Sequence, residues 1–524
     1  EVSEAIDFAN YYAESIIDLQ REKVEYKCSG INLVLSPWNF PIAIPIGGVL
    51  ASLAAGKRVV LKPSQNAAAT AYLISTCLWD AGIPKEAFHF LPSQEKTLDN
   101  FLSSGNIFDA VILTGGNETA QFLLQRNPYL NLYAETGGKN ATIVTALADK
   151  EQAIANVINS AFGNSGQKCS ATSLLILEKE VFENKEFKSL LKDAAESKKV
   201  GSPWDFETKI GPMAVPINDR IKYVLNNTKD KDWLLKPEIK GKQILSPGIK
   251  WGIAKGDFEY HNELFGPILC VMKADNLDYA IELVNGTKFG LTSGIESLSK
   301  EEVNYWKNKM KAGNLYANRS TTGAIVQRQP FGGIKASSFG FGMKAGGPNY
   351  VRQFIDYKPN KISNSRIKND FKAIYQNHFK KEIDYSKIRG QHNILRYQKA
   401  KNAIILIDEK TKKEDLEIVL LSCKVVNLPF VIFSTHENHE LNHKKINLNA
   451  LNNLLREIEE DTVLRSLIKH LPEPFMKECH KKNIHVYNRT PCTNGRFELL
   501  NYFKEQSLSI NFHRYGNLMG EKNL

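Results

Sequence analysis

The chain has 524 residues, which is long enough for two or three domains with separate cores. Apolar residues make up 42% of it and charged residues 24%, as is ordinary for a soluble globular protein. The net charge of +11 comes from lysines among asparagines and isoleucines rather than from arginines interleaved with aromatic residues, so the composition argues against nucleic-acid binding.

Cysteine usage bears on the cellular compartment. The sequence holds seven cysteines, an odd number, and they are widely scattered. No signal peptide precedes them, so we expect a cytoplasmic, reducing environment without a disulfide framework. The chain opens on Glu1 within a helical pattern and without a Met, which predicts a piece of a longer polypeptide.

The first part of the chain alternates between helical and strand patterns. Residues 1–20 carry apolar side chains at helical spacing. Residues 31–56 carry no charge and are long enough to cross a bilayer. Three prolines interrupt this stretch, Pro37, Pro41 and Pro45. We therefore predict a strand, a turn and a helix over 43–55 there, rather than a transmembrane segment. The strands and helices that follow predict a parallel sheet with crossover helices.

A second α/β stretch covers residues 137–357, with a long helical region over 181–199 and the glycine-rich "QPFGGIKASSFGFGMKAGGP". Residues 358–392 are polar and lysine-rich, and we interpret them as a linker. The remainder, 393–524, contains the strand-like segments "NAIILID", "PFVIFST" and "NIHVYN", which predict a smaller α/β unit.

A histidine group in "HENHELNH" has metal-ligand spacing: His436, His439 and His443. Its charged, asparagine-rich surroundings are typical of an exposed loop, and we predict no metal site.

One cysteine stands apart from the others. "NSGQKCSA" places Cys169 among small residues and next to Lys168, where a thiol is approachable and partly ionised. Only His89 and His261 share the first 360 residues with it, and neither lies in a turn typical of a Cys/His catalytic pair. A cysteine-protease interpretation is therefore poorly supported.

Several glycine-bounded turns carry groups that could serve such a thiol. "YAETGGKNA" places the carboxylate of Glu135 before two glycines, and "SPWNFP" holds the amide of Asn39 between prolines. "ILTGGNETA" is a strand-to-helix turn that lets a phosphate approach a helix N-terminus. Each feature alone is common, because glycine turns and Asn beside Pro are ordinary turn chemistry.

Taken together and in this order, the motifs resemble the aldehyde dehydrogenase superfamily. They are "SPWNFP", "LKPS", "LTGGNETA", "ETGGKNA", "SGQKCSA", "NELFGP" and "QPFGG", spread over residues 1–357. The resemblance implies an α/β fold with a parallel-sheet dinucleotide-binding domain at 1–136, N-terminally incomplete, and an α/β catalytic domain at 137–357. The segment 393–524 would then be a smaller C-terminal α/β extension.

Further motifs resemble one subfamily, the pyrroline-5-carboxylate (glutamate-γ-semialdehyde) dehydrogenases, and in particular the dehydrogenase module of bifunctional proline utilisation A proteins. These motifs are "ETGGKNA", "GQKCSA", "GNLYANRSTTGAIVQRQPFGG" and "KAGGPNY". The ending "NGRFELLNYFKEQSLSINFHRYGNL" is similar to the tail of the longer forms. The resemblance implies proline catabolism, homo-oligomers, and fusion to an upstream proline dehydrogenase. FAD would be a cofactor only through that module. Any peripheral association with a membrane would also occur only through the full-length protein.

The resemblance also assigns catalytic roles. Cys169 would attack the aldehyde carbon, and Asn39 with the backbone N–H of Cys169 would stabilise the oxyanion, where one donor is typically worth about 10²–10³ in rate. After hydride transfer to NAD, Glu135 would activate water to hydrolyse the thioester.

For the cofactor, the resemblance places Lys62 and Glu263 at the two riboses and Phe265 beside the nicotinamide. Gly115 and Gly116 would lie against the pyrophosphate. The alternative interpretation of Lys62 is an exposed lysine that ends a strand. The alternative interpretation of Phe265 is an ordinary core phenylalanine.

One position departs from the family. Its NAD-preferring members commonly carry a glutamate three residues after the lysine, and here Gln65 stands there. Gln65 can bond a ribose hydroxyl but does not repel a 2′-phosphate, so NAD is expected as the main cofactor with NADP possible and weaker.

The substrate's α-carboxylate would be held by a hydroxyl and two backbone N–H groups, from Ser170, Gly323 and Ala324. The alternative is a glycine turn beside a solvent-facing serine. Two other functions stay open: a dehydrogenase for another carboxylated aldehyde such as succinic semialdehyde, and a non-catalytic scaffold of the same fold.

Overall fold

The computed structural model describes residues 1–22, 25–94, 99, 107–357, 364–436, 442–448, 451–514 and 517–518. The chain forms two compact units. The first comprises Glu1–Glu135, Phe339–Ile383 and Arg396–Glu505. The second comprises Thr136–Ser338, Asp384–Leu395 and Gln506–Leu524.

The first unit contains a parallel sheet built from the N-terminal part of the chain. Its strands, in spatial order, are Leu132–Glu135, Ala110–Thr114, Ile31–Ser36, Arg58–Pro63 and Phe88–Phe90. The helices that accompany them are Val2–Arg21, Ala43–Ala54, Ala68–Asp80 and Asn117–Arg126. The central strands are buried along almost their whole length, as parallel strands covered on both faces must be.

A second parallel sheet of the first unit lies in the C-terminal extension. Its strands are Lys444–Lys445, Phe430–Ser434, Asn402–Ile407, Thr462–Ser466 and Val486–Tyr487. Its helices are Lys413–Val425, Leu451–Leu454, Glu473–Lys481 and Gly495–Glu498. The three strand-like segments predicted in this part of the chain are therefore strands of one sheet.

The second unit is built on a larger sheet. Its strands, in spatial order, are residues 507–510, Asn314–Ala317, Thr292–Glu296, Ala141–Val144, Leu174–Glu178, Ile268–Ala274, Gly248–Trp251 and Trp233–Leu235. All neighbours are parallel except the last pair, which is antiparallel. Its helices are Lys150–Phe162, Lys179–Phe182, Lys185–Glu196, Asp219–Asn227, Phe258–His261, Leu277–Asn285 and Lys300–Lys309.

The structure confirms the α/β fold class and the helix and strand pattern predicted for the first unit. The uncharged stretch 31–56 is a strand, a proline-containing turn and a helix, as expected. In the part of the chain that the structure describes, no helix is long and apolar enough to cross a membrane.

Two segments differ from the expectations. The predicted helical region over 181–199 is two helices, because Asn184 caps the second one by accepting a hydrogen bond from the N–H of Phe187 at 2.8 Å. The segment 358–392, predicted as a linker, contains the helix Asn364–Ile374, in which Phe371 is buried. The domain boundaries at 136, 357 and 392 remain predictions.

Of the histidine group, His439 lies outside the described residues. Within the described ranges, no group of three or more His, Cys, Asp or Glu side chains is arranged to hold a metal ion.

Candidate active site

Half of the predicted site residues lie along one edge of the N-terminal sheet. The sheet is parallel, and each of these residues stands at or just beyond the carboxyl end of a strand, or in the turn that follows it: Asn39, Lys62, Gln65, Gly115, Gly116 and Glu135. The backbone N–H of Gly115 donates to the carbonyl of Glu135 at 3.1 Å. This edge is where parallel α/β sheets bind ligands.

The turn at Gly115–Gly116 fits a phosphate by its shape. Gly116 is exposed and directly precedes the ten-residue helix Asn117–Arg126, so the positive end of the helix dipole lies at this turn. A Cβ on Gly116 would lie 3.3 Å from the carboxylate of Glu118. Glu118 therefore adds a negative charge that disfavours tight anion binding, while half-buried Lys62 on a nearby strand supplies a positive one.

Gln65 is exposed and begins the short turn Gln65–Ala67. It lies three residues beyond Lys62, at the same edge of the sheet. Its neutral amide can donate to or accept from a ribose hydroxyl, and it carries no charge that would repel a phosphate.

Cys169 belongs to the second unit, between the helix Lys150–Phe162 and the strand Leu174–Glu178. The turn before it is strained. Asn164, Ser165 and Gly166 have φ values of 56°, 54° and 70° in succession. Left-handed backbone at a residue other than glycine costs about 1–3 kcal/mol and concentrates at functional sites, which supports the interpretation of Cys169 as a reactive group.

The side chain of Asn140 fixes the backbone of the nucleophile turn. Its Nδ2 donates to the carbonyls of Cys169 at 2.6 Å and Ala171 at 3.0 Å, and its Oδ1 accepts from the N–H of Thr292 at 3.0 Å. Asn140 is 2% exposed, so these bonds form away from water and define the orientation of its amide.

A chain of buried hydroxyls also supports the turn that carries Cys169. Thr172 lies between Thr142 at 2.9 Å and Thr321 at 3.0 Å, measured between hydroxyl oxygens. Thr321 Oγ1 donates to the carbonyl of Ser170 at 3.0 Å. The residue after the cysteine is thus joined directly to the segment that carries Gly323 and Ala324.

Cys169 differs from the buried cysteines in its exposure. It is half-buried, and the ammonium of Lys168 interacts with it electrostatically. Burial raises the pKa of Cys270 to about 11 and the pKa values of Cys423, Cys479 and Cys492 to about 12. These four thiols are therefore protonated and unreactive near neutral pH.

The loop that carries Glu263 and Phe265 packs against the nucleophile turn. A Cβ on Gly166 would lie only 2.3 Å from the carbonyl oxygen of Gly266. Glu263 Oε1 accepts a hydrogen bond from the N–H of Gly138 at 3.0 Å. Phe265 is half-buried and has a φ of 55°. Packing in a core does not require this left-handed backbone conformation, which adds to the strain around Cys169.

Gly323 and Ala324 lie in an exposed loop. Gly323 is exposed, its φ is 92°, and a Cβ there would meet no atom within 4 Å. The amide of Gln329 lies 3.1 Å from the carbonyl of Gly323 and 2.6 Å from the hydroxyl of Ser509. In the amide orientation that satisfies both contacts, Nε2 of Gln329 donates to the carbonyl of Gly323 and Oε1 accepts from the hydroxyl of Ser509. A residue near the end of the chain thus helps to hold this loop.

Sequence reasoning missed Asn140, Thr321, Gln329 and Ser509. Asn140 stands within the quoted motif "ETGGKNA" and could have been found there, as a buried amide directly before a buried strand. Gln329 and Ser509 are 180 residues apart, and no local pattern signals their contact.

These features define the class. Residues 1–359 match the Aldehyde dehydrogenase family, and the chain belongs to that family. It is an aldehyde dehydrogenase, an enzyme. The resemblance stated from the motifs is thereby confirmed.

Individual relatives narrow the class further. The chain is 33% identical over 385 residues to 1-pyrroline-5-carboxylate dehydrogenase of Staphylococcus aureus, covering 68% of this chain and 73% of the relative. It is similar to the structure of Proline Utilization A (PutA) from Corynebacterium freiburgense, with a TM-score of 0.86 and 35% identity over 99% of this chain and 54% of that one. It therefore spans about half the length of that protein.

A third relative was solved with cofactor. The structure of 1-pyrroline-5-carboxylate dehydrogenase from Thermus with bound NAD has a TM-score of 0.63 and 30% identity, over 68% of this chain and 73% of that chain.

Proposed function

We propose that the chain oxidises L-glutamate-γ-semialdehyde, the open form of pyrroline-5-carboxylate, to L-glutamate as a step of proline catabolism, with NAD as the main hydride acceptor. The observation that carries the proposal is the hydrogen bond from Thr321 to the carbonyl of Ser170. It joins the residue after the nucleophile to the exposed loop of Gly323 and Ala324, as a clamp for a substrate carboxylate requires.

The chemistry begins at Cys169. Its thiolate adds to the aldehyde carbon and forms a thiohemiacetal whose oxyanion is stabilised by the amide of Asn39 and the N–H of Cys169. When bound, the nicotinamide cofactor supplies the hydride acceptor. The thioester left on Cys169 is hydrolysed by water from which Glu135 removes a proton, and the thiolate leaves as the carboxylic acid forms.

The cofactor proposal is supported by the groups at the edge of the N-terminal sheet. Lys62, Gln65 and the turn Gly115–Gly116 lie at the carboxyl ends of the two parallel strands that flank Ile31–Ser36, an edge suited to a dinucleotide. Glu263 would meet the second ribose, and Phe265 would lie beside the nicotinamide. The Thermus relative with bound NAD supports the choice of NAD.

The carboxylate clamp is supported by the contacts around Ser170. It is 8% exposed and its carbonyl accepts from both Thr321 and Thr292, so its position is fixed by two buried hydroxyls. Gly323 presents open backbone. A fixed hydroxyl and free backbone N–H groups suit a carboxylate without an arginine.

The wider context is also a proposal. Several similar structures are PutA proteins, and the Corynebacterium structure matches this chain over 54% of its own length. We infer fusion to an upstream proline dehydrogenase, which would carry FAD and supply the semialdehyde. The mass of the natural polypeptide and its flavin absorbance test this inference.

The first experiment is NADH formation by the full chain with pyrroline-5-carboxylate, succinic semialdehyde and propanal, with Cys169→Ala as the blank. A strong preference for pyrroline-5-carboxylate that disappears in the blank supports substrate and nucleophile together. Preference for succinic semialdehyde would overturn the assigned substrate. Unchanged activity in the blank would overturn the nucleophile.

A further inference from the structure

A buried charge cluster lies in the first unit, and it includes Lys344 of the motif "KAGGPNY" and Glu505 near the end of the chain. Lys344 is 1% exposed and Glu505 is 2% exposed. Glu505 Oε2 accepts from the backbone N–H of Lys344 at 2.7 Å, and its Oε1 accepts from Asn349 Nδ2 at 2.7 Å. Charged groups are buried to this degree only when they are paired and hydrogen-bonded.

The segment that carries Lys344 follows the strand that ends in Glu135. Phe339 packs in the same apolar cluster as Leu132 and Ala134 of that strand. Gly340 approaches the strand so closely that a Cβ on it would lie 2.0 Å from the carbonyl oxygen of Leu132. Phe339 and Gly340 therefore lie against the strand whose last residue is Glu135, and Lys344 follows four residues later.

The charge of Glu135 reaches Lys344. Burial lowers the pKa of Lys344 to about 8, although attraction to the carboxylates of Glu135 and Glu505 raises it. Burial, and then the charge of Glu135, raise the pKa of Tyr350 as well. The cluster thus holds the carboxyl groups of Glu135 and Glu505 and the amine of Lys344, whose burial disfavours its charged form.

The far side of the cluster is rigid. Asn349 Nδ2 also donates to the hydroxyl of Tyr397 at 2.8 Å, which lies 2.8 Å from His378 Nε2. Arg496 donates to Asn349 Oδ1 at 2.9 Å and its charge acts on Glu505. Because Asn349 is held from three sides, Glu505 has one defined position beside Lys344.

We propose that Lys344 is a positioning residue that takes up the proton Glu135 removes from water, and that Glu505 of the C-terminal extension holds Lys344 in place for this transfer. The proposal rests on the proposed role of Glu135. In the step, an O–H bond of water breaks as its oxygen bonds to the thioester carbon. The proton passes from Glu135 to the neutral amine of Lys344, and the Cys169 thiolate leaves.

This transfer explains why an ionisable lysine rather than a fixed cation stands in the cluster. A protonated Glu135 must lose its proton before the next turnover, and the amine of Lys344 offers it an acceptor on the buried side of the site. An amine whose pKa lies near 8 exchanges a proton with little energetic penalty in either direction. The extension, for which the sequence predicts no chemistry, thereby contributes to the reaction.

The test separates hydride transfer from thioester hydrolysis in the full chain. Lys344→Arg keeps the charge but cannot release a proton, Lys344→Met removes both, and Glu505→Gln removes the holding carboxylate. The matched control is Glu498→Gln, which alters another buried carboxylate of the extension, 1% exposed and paired with Arg465.

We expect all three variants to release a normal burst of NADH and then turn over about 10- to 100-fold more slowly than the parent chain. Mass spectrometry would find the acyl group on Cys169. The steady-state rate of the parent chain should rise with pH through about 8, as Lys344 loses its proton, and Lys344→Arg should abolish this rise. The groups that face this cluster and could modify the profile are Glu135, Glu505, Tyr350 and Arg496.

A Lys344→Arg variant with the parent's rate and pH profile would overturn the proposal, as would an equal loss in Glu498→Gln. If Lys344→Met does not fold, as judged by thermal melting, the results for Lys344→Arg and Glu505→Gln decide whether the proposal holds. Failure of the proposed function itself is distinguishable, because Glu135→Gln would then leave the steady-state rate unchanged.

Discussion

The side-chain amide of Asn140 donates a 2.6 Å hydrogen bond to the backbone carbonyl of Cys169, the predicted nucleophile. A second bond from the same nitrogen reaches Ala171 at 3.0 Å. One amide therefore holds the backbone carbonyls of the residues before and after Ser170. The direction of the Cys169 backbone depends on a donor located before the strand Ala141–Val144.

Replacing this donor tests the relationship. Asn140→Asp would place carboxylate oxygens against two carbonyl oxygens, which repel them, so the turn should shift. We expect the NADH burst rate to fall about 100-fold, since misplacing reacting groups by about 1 Å has effects of that size. NAD affinity, measured by fluorescence titration, should change less than twofold.

The control is Asn276→Asp in the same unit. Asn276 caps the helix Leu277–Asn285 by accepting from the N–H of Tyr279 at 2.9 Å, a bond that Asp makes equally well. An Asn140→Asp variant as fast as this control would contradict the positioning role.

Gly166 tests the strained turn. Gly166→Ala would add a Cβ 2.3 Å from the carbonyl oxygen of Gly266 at a φ of 70°. We expect the free energy of unfolding to fall by at least about 1–3 kcal/mol, the cost of such backbone strain alone. Gly163→Ala is the control, because its Cβ would meet only the end of the Lys168 side chain at 3.7 Å. Equal melting temperatures for the two variants would show that the turn can adjust.

Ser170 tests the carboxylate clamp. Ser170→Ala should raise KM for the semialdehyde about tenfold, because one hydrogen bond to a charged group contributes about 1.5–3 kcal/mol. KM for propanal, which has no carboxylate, should be almost unchanged. Equal effects on the two substrates would argue against the clamp.

Gln65 tests cofactor discrimination. Gln65→Glu adds a charge that repels a 2′-phosphate, so we expect kcat/KM with NADP to fall at least about tenfold while kcat/KM with NAD stays within about twofold. A parent chain that already strongly prefers NAD, with a preference that Gln65→Glu leaves unchanged, would contradict this interpretation.

The sequence predicts those parts of the site that depend on local pattern. Alternating strands and helices imply a parallel sheet, and a parallel sheet brings Asn39, Lys62 and Glu135 to one edge regardless of their distance in the chain. The helix break at Asn184 was missed because the apolar pattern continues across it, and only the capping bond to Phe187 separates the two helices.

Contacts between residues that are distant in the chain could not be predicted from the sequence. Lys344 and Glu505 are 161 residues apart, and neither of the two motifs that contain them signals their contact. The residue type alone does not distinguish a buried lysine from an exposed one, because burial depends on which strands and loops pack over the side chain. The sequence therefore predicts candidate reacting groups but not the residues that hold them.

Ser509 is the clearest case of such a holding residue. Its hydroxyl lies 2.6 Å from the amide of Gln329, which in turn reaches the carbonyl of Gly323 at 3.1 Å. Asn393 lies 2.7 Å from the same hydroxyl. Ser509→Ala should loosen the loop of Gly323 and Ala324, so we expect KM for the semialdehyde to rise about fivefold, as the loss of one buried hydrogen bond implies.

The rise should be confined to the carboxylated substrate, with KM for propanal and the NADH burst rate close to those of the parent chain. Ser422→Ala is the matched control: Ser422 is fully buried in the helix Lys413–Val425 and donates to the carbonyl of Ile418 at 2.8 Å. If both serine variants raise KM equally, the effect is a general loss of stability. If Ser509→Ala alone does so, the end of the chain takes part in substrate recognition.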